Sequence, residues 1–244
     1  MSENIIFALH GFLGQASDWN LIKKSFVANK SADFKAIDLF SPEALPILEF
    51  EDYIEDLSEE IDEIIAGKKK KIFIGYSLGG RVGLHLLENN PDQFDHYIFL
   101  STNPGLGENE QSEKNKRLMA DMKWASLIND KNWISFLTEW NAQSVFSGSC
   151  AESEKNIGDY DLEKLKRALV VWSVSQQEHF LDLIAEFKEK ITWVVGEKDI
   201  KYLKMAEDMK QKKILLDYKR ISCGHRIWLD QPDEIVKLLS RQLN

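Results

Sequence analysis

Residues 71–90 read Lys-Ile-Phe-Ile-Gly-Tyr-Ser-Leu-Gly-Gly-Arg-Val-Gly-Leu-His-Leu-Leu-Glu-Asn-Asn, and their reading decides the fold. Lys71–Tyr76 is a short apolar run holding Ile72-Phe73-Ile74, the pattern of a strand buried on both faces. Leu78–Asn89 carries helical spacing. Between them Gly75-Tyr76-Ser77-Leu78-Gly79 fits G-x-S-x-G. Glycines flanking the serine permit a tight strand-to-helix turn that lifts its hydroxyl to the edge of a sheet.

Outward from this stretch the alternation repeats. Ile5–Leu9, Phe34–Asp38, Tyr97–Ser101, Ile191–Val195 and Ile214–Ile221 read as further strands. Trp19–Ala28, Asp52–Ile65, Leu203–Lys212 and Pro232–Gln242 read as helices. Strands alternating with helices are βα units, so the expected class is α/β: a mostly parallel sheet of about six strands flanked by helices. The alternation stops between Asn103 and Lys190. Three helix-like segments lie there, Gln111–Leu127, Trp133–Trp140 and Leu162–Phe187. The expected organisation is a core of residues 1–102 and 188–244, with a helical cap inserted over 103–187.

The 244 residues include 31 basic and 40 acidic side chains, a formal charge of -9. Acids crowd Glu49–Glu63 without a base, around Ile54, Leu57, Ile61, Ile64 and Ile65 at helical spacing. That is the pattern of a solvated amphipathic helix. A nucleic-acid groove needs clustered Lys and Arg, which this balance disfavours. No apolar stretch approaches the roughly 18 residues of a membrane span. The N-terminus lacks the basic start and long apolar core of a secretory signal. The expectations are therefore no nucleic acid, no membrane and a cytoplasmic location, and no pattern fixes an oligomeric state. Cys150 and Cys223 match no zinc motif, the histidines lack metal-ligand spacing, and no dinucleotide or phosphate loop is present. No metal and no cofactor is expected.

Serine is a weak nucleophile and needs an adjacent base. Of the five histidines (His10, His85, His96, His179 and His225), His225 follows Gly224 after the last strand, in a loop where it can face Ser77. Asp199 lies just beyond Val195-Gly196, placed to orient that histidine. The order Ser77, Asp199, His225 is the order of α/β-hydrolase triads. After the first strand, His10-Gly11-Phe12-Leu13-Gly14 can present the Phe12 N–H beside that of Leu78, two donors for a developing oxyanion. His10 reads as a brace for this loop, and His85 as structural.

Leu9–Gly14 and Gly75–Arg81 resemble the α/β-hydrolase-fold 2-succinyl-6-hydroxy-2,4-cyclohexadiene-1-carboxylate synthases of menaquinone biosynthesis. So do Asn103-Pro104-Gly105-Leu106 and Gly196-Glu197-Lys198-Asp199-Ile200-Lys201-Tyr202, and the resemblance extends over most of the chain. It implies proton abstraction and pyruvate elimination by the triad, without hydrolysis, and a small-molecule anionic substrate with several carboxylates. By the same resemblance Tyr76, Arg81, Arg117, Trp140 and Lys201 bind that substrate. Arg81 lies four residues after Ser77, one helical turn on and on the same face. Two stretches depart from the family pattern. Asp38–Pro42 lacks the glycines that usually follow the second strand, and Lys155 is the nearest candidate for a further cap arginine. A serine carboxylesterase or thioesterase would use the same triad through a Ser77 acyl-enzyme. A non-catalytic receptor of this fold is a third reading, which the intact triad argues against. The arginines and Lys201 separate the first two, because a neutral acyl chain has no use for them.

Overall fold

Each of the six apolar runs becomes a strand in the structure, a computed structural model that describes residues 2–107, 109–152 and 154–243. In chain order β1 (Asn4–Leu9) leads through α1 (Asn20–Val27) to β2 (Asp33–Ile37). Next come α2 (Phe50–Ile65), β3 (Lys70–Tyr76), α3 (Leu78–Asn89) and β4 (His96–Leu100). Then four helices follow with no strand among the described residues: α4 (Gln111–Leu127), α5 (Trp133–Asn141), α6 (Leu162–Val171) and α7 (Leu181–Glu186). The chain finishes with β5 (Ile191–Gly196), α8 (Ile200–Gln211), β6 (Tyr218–Ile221), the short α9 (Ile227–Asp230) and α10 (Pro232–Leu243).

The sheet order is β2-β1-β3-β4-β5-β6, and every pairing is parallel. Successive side chains of a strand point to opposite faces. Phe7, Phe73, Tyr97, Phe99 and Trp193 therefore enter one layer, under α2, α3 and α8. Ile6, Ile72, Ile74, Ile98 and Val194 enter the other, under α1 and α10. Helices on both faces explain why these strands are continuously apolar. On α2, Ile54, Leu57, Ile61 and Ile65 are buried while Glu51, Asp52, Glu55, Asp56 and Glu59 are exposed, so the acidic stretch is the solvated face of an ordinary helix.

From β1 the chain moves to β2 on one side and then to β3 on the other. Loops leaving β1 and β3 diverge at such a switch point, and the crevice beyond the strand ends is where α/β sheets bind ligands. Leu9 pairs with Gly75, which puts the loop after β1 beside Ser77.

Two expected elements are cut short. The strand expected over Ile214–Ile221 occupies only Tyr218–Ile221. Lys213 takes a left-handed conformation (φ 62°) and the Ile214 N–H donates to the Met209 carbonyl at 2.9 Å, so this stretch ends α8 before the strand begins. The helix expected over Leu162–Phe187 breaks after Val171 and resumes at Leu181. At the break the Ser175 N–H donates to Ser173 Oγ, and the Gln176 and Gln177 N–H groups donate to the Ser173 carbonyl. Serine side chains that bond nearby backbone compete with the helical ladder in this way. No helix among the described residues is long and apolar enough to cross a membrane.

Candidate active site

Ser77 sits between β3 and α3 with φ 50° and ψ -106°, a strained backbone for a residue with a β-carbon. Its N–H still donates to the Leu100 carbonyl (2.9 Å), while its carbonyl already accepts the Arg81 N–H (3.1 Å). The turn between ladder and helix is thus a single residue. Gly79 makes it possible: a β-carbon there would lie 2.4 Å from the Leu9 carbonyl oxygen. Leu78 is the first residue of α3, so its N–H has no acceptor within the helix. Phe12 and Leu78 line one cavity with Ser77.

His10 is buried and holds the Phe12 loop. The Leu39 N–H donates to its Nε2 (2.9 Å), which places the ring proton on Nδ1, donating to the Gly11 carbonyl (2.8 Å). Burial pulls its pKa below the usual range, against the opposing effects of the Gly11 carbonyl and the Asp18 and Asp38 charges. The ring therefore stays neutral while bracing the loop.

Asp199 and His225, the expected triad partners, come from the strands beyond. Glu197 and Lys198 donate their N–H groups to the Ile221 and Cys223 carbonyls, holding the loop after β5 against the loop after β6. This brings Asp199 Oδ2 to 2.6 Å from His225 Nδ1, both residues 3% exposed. The imidazole lies among the rings of Tyr202 (4.7 Å), Tyr76 (5.4 Å) and Phe146 (5.8 Å). Its side-chain hydrogen bond is to Asp199; Ser77 and His225 share none in this structure.

The Ser77 cavity measures about 80 Å³ and is walled by Phe12, Arg81, Arg117, Trp140 and Tyr202 among others. Phe12 and Trp140 close it ring to ring at 4.8 Å. Arg81 is 7% exposed, and Nη1 donates to the Trp172 carbonyl (2.7 Å) and to Gln177 Oε1 (3.0 Å). Both acceptors are neutral. Burial, and then the Arg117 charge, push its pKa down to about 10. Arg117 has a carboxylate of its own: Nε donates to Asp121 Oδ2 at 2.7 Å, and the same oxygen accepts Ser173 Oγ–H at 2.7 Å. Burial opposes the Arg117 charge, but Asp121 outweighs it and raises the pKa.

The broken cap helix explains how both guanidiniums are held. Because α6 stops at Val171, the Trp172 carbonyl has no partner in the helix and is free for Arg81. The same bend delivers Gln177 to Arg81 and Ser173 to Asp121.

Two of the five expected substrate-binding residues do not line this cavity. Tyr76 alternates to the opposite face of β3, packing on Trp228 (6.3 Å) below the histidine. Lys201 is exposed and lines a neighbouring cavity of about 280 Å³ with Lys204 and Met205. Its position two residues after Asp199 turns it away, whereas Tyr202, three residues after, shares the Asp199 side of α8. Tyr202 is the residue that reading missed, and the helical offset was the signal for it. Asp121, Trp172 and Ser173 also line the cavity and had no local signal. Lys155 does not stand in for a cap arginine there: it is buried against Asp18 (3.2 Å) and Glu152 (3.5 Å), away from Ser77.

A parallel six-stranded sheet, a strained serine elbow and a buried Asp–His pair define a class, and comparison with known proteins gives the same one. A model of the alpha/beta hydrolase family matches residues 5–238. The chain belongs to that family. Within it, a Bacillus subtilis (strain 168) protein named putative 2-succinyl-6-hydroxy-2,4-cyclohexadiene-1-carboxylate synthase is 24% identical, covering 99% of this chain and 91% of its own. The synthase of that name from Salmonella arizonae is 23% identical, with 96% and 92% covered. The structure of MenH from S. aureus superposes with a TM-score of 0.83 at 21% identity, covering 100% of this chain and 94% of its own. The motif resemblance thus has counterparts spanning whole chains.

Proposed function

We propose that the protein is a lyase of the 2-succinyl-6-hydroxy-2,4-cyclohexadiene-1-carboxylate synthase type, eliminating pyruvate from a small polycarboxylate. The observation that carries this reading is Arg81. A guanidinium buried beside Ser77 has neutral hydrogen-bond acceptors, and the nearby Asp121 is bonded to a second arginine, Arg117, so no carboxylate among the described residues pairs with Arg81. A substrate carboxylate would compensate it with charge-assisted, bidentate hydrogen bonds.

In this reading His225, oriented by Asp199, takes the Ser77 proton, and the Ser77 oxygen removes a proton from substrate carbon. The electron pair left behind is held on a substrate oxygen by the Phe12 and Leu78 N–H groups. It then forms a carbon–carbon double bond as the C–O bond to the pyruvyl group breaks. The departing enolate takes up a proton and leaves as pyruvate. Ligand pockets usually hold about 300–1,000 Å³, so substrate entry must part the Phe12–Trp140 contact.

The test is direct assay of pyruvate released from the polycarboxylate precursor. Release that requires Ser77 is expected. Hydrolysis of neutral esters with no pyruvate from the precursor would transfer the site to the serine esterase reading.

A further inference from the structure

Arg226 follows the triad histidine, is 3% exposed and does not line the Ser77 cavity. Its backbone and guanidinium nitrogens turn to one stretch of cap, residues 141–152. The Arg226 N–H donates to Ser149 Oγ (2.9 Å), Nη1 donates to the Cys150 carbonyl (3.3 Å) and Nη2 donates to Asn141 Oδ1. Nε lies 2.6 Å from Glu152 Oε1, an ion pair whose oxygen is off the N–H direction. The guanidinium carbon sits 4.0 Å above the Phe146 ring, and that ring is 5.8 Å from His225. Asp230 ties the same two stretches from the far end of α9. Its Oδ1 accepts the Cys150 N–H (2.7 Å) and its Oδ2 accepts the Gly224 N–H (3.2 Å). The fit is tight, since a β-carbon at Gly224 would lie 2.3 Å from Ser149 Oγ.

Burying a guanidinium is costly unless its donors and charge are well matched. A fixed fork of five donors can reach several acceptors at once, which an ammonium cannot. Here the matched groups all belong to the cap stretch, and the other end of the arrangement is the histidine loop. We propose that Arg226, with Asp230, is a positioning residue for His225: it fastens cap residues 141–152 to the loop that carries the imidazole. The ring is thereby held against Asp199 on one side and Phe146 on the other. This rests on the triad reading.

The test uses two readouts that do not depend on the natural substrate. The rate at which a fluorophosphonate labels Ser77 reports the serine–histidine pair. The deshielded Nδ1 proton expected of His225 bonded to Asp199 reports ring orientation by NMR. Arg226→Met should slow labelling tenfold or more and shift or broaden that proton signal. Arg226→Lys keeps the charge toward Glu152 but loses the fork, and should recover part of the rate. Asn141→Ala and Ser149→Ala each remove one tie and should show smaller changes of the same kind; they decide the matter if Arg226→Met does not fold. An unchanged rate and proton signal in folded Arg226→Met, or in both single-tie variants where it does not fold, would overturn the proposal. If the wild type is not labelled at all, the triad reading fails, and the clasp is judged on the proton signal alone.

Discussion

At Arg81 the chain sets a charge with little access to water and gives it a carbonyl and an amide as hydrogen-bond acceptors. Losing a hydrogen bond to a charged partner costs about 1.5–3 kcal/mol, roughly ten- to a hundredfold in specificity constant. Arg81→Met should therefore lower kcat/KM for the polycarboxylate by that much while altering turnover of a small neutral ester by less than about threefold. Both activities measured on one preparation, with melting as a control, check it; equal losses would remove the anion-clamp role. The proposed triad makes a different demand. Ser77→Ala, His225→Ala and the double variant should lose similar activity, because residues acting as a unit are strongly non-additive. Losses that multiply would show independent action. The Asp199 side chain bonds the imidazole and does not itself react, so Asp199→Asn should cost less than Ser77→Ala, on the order of 10⁴ in turnover, through a wrongly oriented ring. Near-normal turnover would mean that another acid does the orienting.

At the scale of elements, the turn from β3 into α3 tolerates no added atom at Gly79, where a β-carbon would meet backbone at 2.4 Å. Overpacking of this kind costs about 1–3 kcal/mol, so Gly79→Ala should lower the unfolding midpoint and displace Ser77 enough to abolish probe labelling. A folded, fully reactive Gly79→Ala would show that the elbow can relax. This element was legible because its determinants are local: a branched apolar run, two glycines and a helical pattern within one short stretch. Asp199 and His225 were legible by order, since each follows a recognisable strand. The cavity walls were not. Tyr76 lies next to the serine in sequence but on the other face of its strand, and resemblance alone gives no side to a residue. Lys155 looked like a spare cation, yet its carboxylates come from Asp18 in the core and Glu152 in the cap. The bend at residues 172–180 follows from Ser173, whose hydroxyl serves Asp121 about fifty residues earlier. Such contacts belong to tertiary packing and leave no periodic trace.

Taken whole, the molecule buries histidines that its fold keeps neutral. Burial holds His10 below its usual range; burial, then Arg81, push His85 down to about 3; burial, then Lys70, push His96 down to about 4. These folded values lie beneath the unfolded value of about 6.5. More than a unit above that pH these rings are neutral in both states and add no slope. Below it the unfolded chain binds protons that the fold refuses, so stability falls with pH until the folded values are reached. The slope is up to about 1.4 kcal/mol per pH unit for each such group, and less for half-buried His96. Urea unfolding should give nearly equal stability at pH 8.5 and 7.5 and a clear loss at pH 5. His85→Phe, which can keep the stack on Phe50 (3.9 Å), should lessen that loss. Equal stability of the wild type at pH 5 and pH 8 would contradict the argument. The sheet itself carries a last consequence, for the order of assembly. β4 and β5 are neighbours, yet Tyr97 pairs with Ile191 across about ninety residues of intervening chain. Joining such distant partners is entropically slow, whereas the helices between them form from near neighbours. On dilution from denaturant the far-ultraviolet helix signal should therefore return before Ser77 regains its reactivity, and simultaneous recovery would mean that β4 and β5 meet early. Ser77 is on the chain before this pairing, and Asp199 and His225 lie after it. The serine can take its place early in folding, and the residues proposed to make it reactive arrive last.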